Sequence, residues 1–334
     1  MTMMPYVSVI IPTYNRRDSV ERALHALTYQ TLAPETYEVI VSIDGSLDGT
    51  REMVSSFLAP YRLDYIWQSN QGRAAACNAG IRIAQGDVLV ILDDDMEPSP
   101  DCLERHSNAH PDSSRFGVMG AVPMYCEKTD PPVAAYIAAK FNRHLDNLAR
   151  SDHQLVLRDF YSGHFSIRRA VLMEVGLFDE AFRIYGNEDL ELSLRLRKSG
   201  VTLIYAPETL AHQRYSKDFA GLARDTIAKG RTAVLLASKH PEVLPDLQLS
   251  AYQQGSWQWR LARAGLLALS RWSPSTPERV IALIQLLEQY HVRQLHLYYR
   301  FVLDYLYWLG VQLALRENRQ MGQGLTSLVS RGEI

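Results

Sequence analysis

Cysteine is scarce in this chain of 334 residues: Cys77, Cys102 and Cys126 are the only three, and they are scattered. That spacing offers neither a disulfide framework nor a zinc-binding pattern, and it fits a reducing compartment. Net charge is −2, so there is no global basic field to attract nucleic acid. No uninterrupted apolar run reaches the roughly 18 residues a membrane-spanning helix needs. The N-terminus, Met1-Thr-Met-Met-Pro-Tyr6, lacks a charged segment followed by an apolar one, so no signal peptide is expected. Internal repeats and low-complexity tracts are also missing. What remains is ordinary globular composition, with 47% hydrophobic and 22% charged residues. The length suits one large domain or two smaller ones.

Against that plain background, Asp93, Asp94 and Asp95 stand out. Three adjacent carboxylates repel one another, so gathering them is costly without a cation. They follow the apolar run Val88 to Leu92, which reads as a buried strand. Ligands of open α/β sheets bind just beyond the carboxyl ends of strands. Mg²⁺ and Mn²⁺ prefer oxygen donors and often bridge carboxylates to substrate phosphates. A metal–phosphate site and a solvated acidic turn both account for the triplet alone.

The first half alternates strand and helix signals. Strands are expected at 7–11, 38–43, 63–67 and 87–92, with helices at 18–29, from 48 onward and from 72 through 84. Met53, Phe57 and Leu58 should point inward from the second helix. This rhythm implies a Rossmann-like α/β fold with a mostly parallel sheet flanked by helices. Further strands are expected at 116–122, 159–168 and 201–205, the last stopped by Pro207. Helices are expected at 133–150, 169–175 and 187–199. Glu191 and Arg195 are spaced i,i+4 and read as a helix-surface pair. From about residue 216 the pattern is helical, over 218–239, 251–271, 277–291 and 293–316. Two domains are therefore expected: a catalytic domain over 1–215 and a helical C-terminal region over 216–334.

Four motifs fall at expected strand ends or helix starts: Val9-Ile-Ile-Pro12-Thr13-Tyr14-Asn15, Val41-Ser-Ile-Asp44-Gly45-Ser46, Leu92-Asp-Asp-Asp95 and Gly186-Asn-Glu188-Asp189-Leu-Glu191. Together they resemble glycosyltransferase family 2, a large group of inverting enzymes with the GT-A fold. The resemblance runs over roughly residues 6 to 215. It implies a nucleotide-diphosphate sugar donor, a UDP-sugar first of all, and a Mn²⁺ or Mg²⁺ cofactor. Pro12, Thr13, Tyr14, Asn15 and Asp44 would then face the base and ribose. Asp93 and Asp94 would contact the donor, and Asp95, with His212, would ligate the metal. Asp189 would be the catalytic base, and Gly163, His164 and Glu188 would line the acceptor or sugar pocket.

The chain departs from the family where Ile43 replaces a frequent aspartate and Cys77 a frequent arginine. Arg73, one helical turn before Cys77, is positioned to supply the missing cationic donor contact, with Asn78 close by. Two other functions are compatible with an α/β sheet: a sugar nucleotidyltransferase and a non-catalytic nucleotide-sugar-binding protein. The first strand ends in Pro-Thr-Tyr-Asn rather than a glycine-rich basic loop, which weighs against the former. Both acids at 188–189 are present, which weighs against the latter.

In the tail, Trp257, Trp259, Trp272 and the run from Tyr290 to Trp308 form an aromatic-rich set with arginines nearby. A helical cap, a dimer contact and a membrane-interface helix set all fit this pattern. The interfacial reading would make a lipid-linked acceptor attractive beside a glycan one, at the cytoplasmic face of the membrane.

Overall fold

The computed structural model describes residues 6–317. Two compact units emerge. Among the described residues, the first comprises 6–126, 138–183 and 188–215; the second comprises 127–137, 184–187 and 216–317. The partition therefore differs from a single cut at 215/216: two short inserts, 127–137 and 184–187, belong with the helical unit.

In the first unit, β1 (Val7–Thr13), α1 (Arg17–Leu27), β2 (Tyr37–Asp44), α2 (Thr50–Ser56), β3 (Arg62–Gln68), α3 (Arg73–Ile83) and β4 (Val88–Leu92) follow the expected alternation. Every residue of β1, β2 and β4 is buried, as strands covered on both faces should be. β1 pairs in parallel with β2 on one side and β4 on the other, and β3 extends the sheet beyond β2. Helix α2 ends at Ser56, so Leu58 lies outside it and is 95% exposed, against expectation.

Past the acidic triplet the chain adds β5 (Met96–Pro98) and α4 (Cys102–Asn108), neither evident from the sequence pattern. β6 (Phe116–Ala121), β7 (Met124–Tyr125), α5 (Pro132–Leu148), β8 (His164–Arg168), α6 (Arg169–Val175), α7 (Glu188–Lys198) and β9 (Thr202–Arg214) follow. The sheet order is β3-β2-β1-β4-β8-β6-β9-β5, with β7 on β9. β8 runs antiparallel between β4 and β6, so its start, His164, lies opposite Leu92 at the end of β4.

Pro207 does not stop the last strand. β9 continues to Arg214, and its register against β6 slips between Gly120 and Ala121, which pair with Ala206 and Leu210. An irregularity of this kind is where a strand tolerates proline. The Glu191–Arg195 pair is not a surface ornament either. Glu191 is buried, and Arg195 also donates to the carbonyls of Val175, Gly176 and Leu177, tying α7 to the end of α6.

The second unit contains α8 (Phe219–Lys239), α9 (Trp257–Trp272), α10 (Thr276–Gln289) and α11 (Leu295–Glu317). α8 and α11 touch backbone to backbone. A Cβ on Gly230 would lie 2.1 Å from the Tyr307 carbonyl oxygen, and one on Gly310 would lie 2.0 Å from that of Ile227. Only glycine permits that approach. Tyr299, Tyr305, Tyr307 and Trp308 are buried here, and Tyr299 stacks on Phe219 while donating to Glu288 at 2.7 Å. Much of the tail's aromatic cluster is thus core.

Candidate active site

The end of β4 delivers three carboxylates to three different environments. Asp93 accepts two hydrogen bonds from the Arg73 guanidinium, at 3.0 and 2.7 Å. Asp94 is buried; its carboxylate accepts from Thr13 Oγ1 at 2.7 Å and from Arg16 at 3.0 Å. Asp95 accepts from Arg16 at 2.7 Å and from the Gln213 amide at 2.9 Å. Burial pushes the Asp94 carboxyl up to about 7, with Arg16 pulling the other way and Asp95 adding to the rise. Burial opposes the charge of Arg16, but Asp94 and Asp95 outweigh it and hold the guanidinium above its ordinary value.

Arg73, in the first turn of α3, links this strand end to α7. Besides Asp93 it reaches Ser162 Oγ at 3.0 Å and Glu188 Oε1 at 3.7 Å. Burial opposes its charge, yet the attraction of Asp93, with Glu188 behind it, raises it well above the ordinary arginine value. Glu188 is buried, and its Oε2 has no hydrogen-bond partner. Burial and the neighbouring Asp189 push the Glu188 carboxyl up to about 7 against the pull of Arg73. Asp189 is half-buried in the first turn of α7, and its Oδ1 accepts the Leu190 N–H at 2.8 Å. The exposed N–H groups and dipole of a helix start favour the ionised form of a carboxylate there.

The neighbouring loops are built to hold this arrangement. Gly163 accepts the Asp93 N–H at 2.8 Å, and a Cβ in its place would lie 2.3 Å from Asp93 Oδ2. Asp44 is buried at the end of β2, where Oδ1 accepts from Gln68 and from the Gln71 N–H, and Oδ2 accepts from the Gly72 N–H. It therefore orders the approach to α3 and aims Arg73. Asn15, at φ 52°, accepts from the Leu47 N–H and donates its own N–H to Ser46. Pro12 and Thr13 are buried, while the Tyr14 ring is 52% exposed at the rim.

Three expected site residues are placed elsewhere. Asn78 is buried, and its amide is engaged with both the N–H and the C=O of Phe178 and with Glu180, so it pins a loop rather than facing a ligand. His164 is fully buried and turned toward Cys102 and His106 of α4, while Gly163, just before β8, lies against Asp93. His212 is exposed and sits opposite Glu97, whereas its neighbour Gln213 reaches Asp95. Successive strand residues face opposite sides, so His212 points away from the carboxylate it was expected to join. Conversely, Arg16, Ser162 and Gln213 belong to the site and escaped the sequence reading. Arg16 directly follows the Pro-Thr-Tyr-Asn motif, but its partners lie 78 and 79 residues away.

The donor set suits a hard divalent cation. Asp93 and Asp95 present carboxylate oxygens at the strand end, and Arg16 already occupies Asp94 and Asp95 as a cationic counterpart. Cys77 is buried, and its thiol is pushed up to about 12, which leaves it inert as a nucleophile.

The sequence model for glycosyl transferase family 2 matches residues 8–176. Validoxylamine A glucosyltransferase of Streptomyces hygroscopicus subsp. limoneus is 30% identical over 281 residues, covering 75% of this chain and 60% of the relative. Chondroitin synthase of Escherichia coli is 25% identical over 268 residues, covering 70% of this chain and 38% of the relative. The chain thus spans less than two thirds of the length of these curated relatives. Among solved structures, the mannosyltransferase PcManGT from Pyrobaculum calidifontis, in complex with GDP-Man and Mn²⁺, is similar with a TM-score of 0.59. It is 20% identical and covers 94% of this chain and 88% of that one. Residues 1–349 of S. aureus TarS give a TM-score of 0.50 at 16% identity, covering 95% of this chain and 91% of that one. These likenesses identify the architecture as GT-A.

Proposed function

Because the chain belongs to glycosyltransferase family 2, we propose that its first unit transfers a sugar from a nucleotide-diphosphate donor to an acceptor hydroxyl with inversion, Asp189 acting as the base. The observation that carries this reading is Arg73. It joins Asp93 at 2.7 Å and Glu188 at 3.7 Å, so the strand-end acids and the helix-start acids share one site. A single displacement needs both groups together: one set holding the diphosphate, the other activating the nucleophile.

In the proposed reaction Asp189 takes the acceptor hydroxyl proton as that oxygen attacks the anomeric carbon. The bond from the anomeric carbon to the diphosphate oxygen breaks, and the electron pair leaves with the nucleotide. The transition state has oxocarbenium character, as in glycoside hydrolysis. Mn²⁺ or Mg²⁺, held by Asp95 with Asp93 beside it, would offset charge on the leaving diphosphate. Arg73 contributes a fixed positive charge on the same side. Thr13, Tyr14 and Asp44 are the proposed surroundings of the base and ribose, and a UDP-sugar is the first donor to test. Gly163 and Glu188 are the proposed floor of the sugar pocket.

The test pairs binding with turnover. Asp189→Asn should bind a nucleotide-sugar donor with Mn²⁺ as the parent does, measured by calorimetry, and lose transfer by roughly 10²–10⁴-fold. Near-normal turnover in that variant would remove Asp189 from the role of base.

For the acceptor, a lipid-linked or membrane glycolipid class is supported by the second unit. Trp257 (63%), Leu261 (65%) and Trp272 (89%) stay exposed on α9, with Arg260 and Arg271 exposed on the same helix. Among the described residues no helix is long and apolar enough to cross a membrane, so contact would be peripheral. Flotation with anionic liposomes should carry the protein upward, and Trp257→Ala/Trp272→Ala should stay below. Parent protein that remains unbound would favour a soluble glycan acceptor.

A further inference from the structure

Behind β8 lies a second polar cluster that the transfer reaction does not use. Cys102 and His106 are spaced i,i+4 and share one face of α4, and that face meets His164 of β8. Cys102 Sγ is 3.3 Å from His164 Nε2, and His106 Nε2 is 2.9 Å from the same atom. All three side chains are fully buried, and their candidate ligand atoms lie within 4.8 Å of one another.

The partners on the far side of each ring matter most. His164 Nδ1 faces the Ala121 carbonyl at 3.2 Å. A carbonyl only accepts, so the ring proton belongs on Nδ1 and Nε2 turns a lone pair toward Cys102 and His106. His106 Nδ1 lies 2.7 Å from Ser166 Oγ, which is 2.8 Å from His110 Nε2. A carbonyl or hydroxyl behind the outer nitrogen is the usual support of a metal-binding histidine, because it fixes tautomer and ring orientation. Burial lowers His164 and His110 to about 4 and His106 well below its ordinary value, so the imidazoles are neutral, as ligands must be.

We propose that Cys102, His106 and His164 form a structural metal site for Zn²⁺, separate from the oxygen-donor site at Asp95. A thiolate with two imidazoles fills three of the four positions of tetrahedral zinc, leaving the fourth to a water, and is a poor set for Mg²⁺ or Mn²⁺. Tetrahedral zinc bonds of about 2.0–2.3 Å put neighbouring donor atoms roughly 3.3–3.7 Å apart. The His106–His164 pair therefore has to open by a few tenths of an ångström and the Cys102–His164 pair by less, while the Cys102 and His106 atoms start within 4.8 Å of one another. Binding displaces the Cys102 thiol proton, which burial otherwise holds in place, and moves the His106 ring proton from Nε2 to Nδ1, where it donates to Ser166 Oγ. The ion would fasten α4 to the start of β8. That is the strand whose preceding residue, Gly163, supports Asp93.

The experiment is to express the full chain in medium supplemented with Zn²⁺ or Co²⁺, purify it without chelator, and measure metal content and absorption. About one zinc per chain is expected. The cobalt form should carry a thiolate-to-cobalt charge-transfer band, which no carboxylate site can produce. Cys102→Ser should lose the band while keeping its circular dichroism, and chelation should lower the melting temperature of the parent but not of the variant. If the variant does not fold, the parent's cobalt spectrum decides by itself. Protein from both media that holds no zinc and shows no thiolate band would overturn the proposal. The cluster would then be a proton network, with His106 Nε2–H donating to His164.

Discussion

Two polar clusters flank the same short stretch of chain, at 162–166, and they solve burial in opposite ways. The cluster at Asp93, Asp94 and Asp95 sets carboxylates against the guanidinium groups of Arg16 and Arg73. The cluster at Cys102, His106, His110 and His164 has no charge partner inside it, and its imidazoles shed their protons. The difference follows from exposure. The Asp93 side chain is 33% exposed and the Asp95 side chain 13%, so solvent and ligand reach them, whereas the histidine cluster is sealed. A charged, reachable cluster suits a diphosphate and a hard cation. A neutral, sealed one suits structure or a soft ion.

The largest effect should come from removing the reachable oxygen ligand. Asp95→Ala should lose Mn²⁺-dependent donor binding, read as an absent metal-induced shift in melting temperature with nucleotide sugar. A parental shift would move the metal site off Asp95. Next comes the charge balance. Arg73→Met leaves Asp93 and Glu188 facing each other without their cation, and should cost on the order of 3 kcal/mol in denaturant unfolding. A stability change near zero would mean that water compensates for the arginine and the cluster is more open than its geometry indicates.

The smallest effect concerns pH. The Glu188 carboxyl is raised to about 7, above its unfolded value near 4.3. A raised acid contributes stability that is fully present below about pH 4 and is lost as pH rises through about 7. Glu188→Gln cannot ionise, so its stability relative to the parent should improve from about pH 5 to about pH 8. A constant difference across that range would show that Glu188 is ionised throughout and that Arg73 outweighs its burial.

The strand–helix alternation to β4 was legible because buried parallel strands are continuous apolar runs and the crossover helices carry period-3.6 faces. The strand-end motifs were legible because their acids sit where such sheets bind ligands. What escaped was whatever depends on partners far away in the chain. β5, with three residues, is too short to show a period. Pro207 read as a stop because the register slip that tolerates it exists only against β6. Asn78 read as a ligand contact, yet its amide is consumed by Phe178, 100 residues on. His212 and Gln213 were indistinguishable until pairing with β5 fixed which face each occupies.

The sequence by itself determined the fold class, the position of the acidic strand end and the family, because these rest on local periodicity and contiguous motifs. Tertiary structure alone decided how the charges are partnered: Arg16 on Asp94 and Asp95, and Arg73 between Asp93 and Glu188. It also gathered a donor set that scattered cysteines gave no sign of, since Cys102 and His106 are a helical turn apart but His164 comes 58 residues after His106. The physical reason is the same in each case. Local pattern sets which face of an element is buried, while sheet order and register set which distant side chain that face meets.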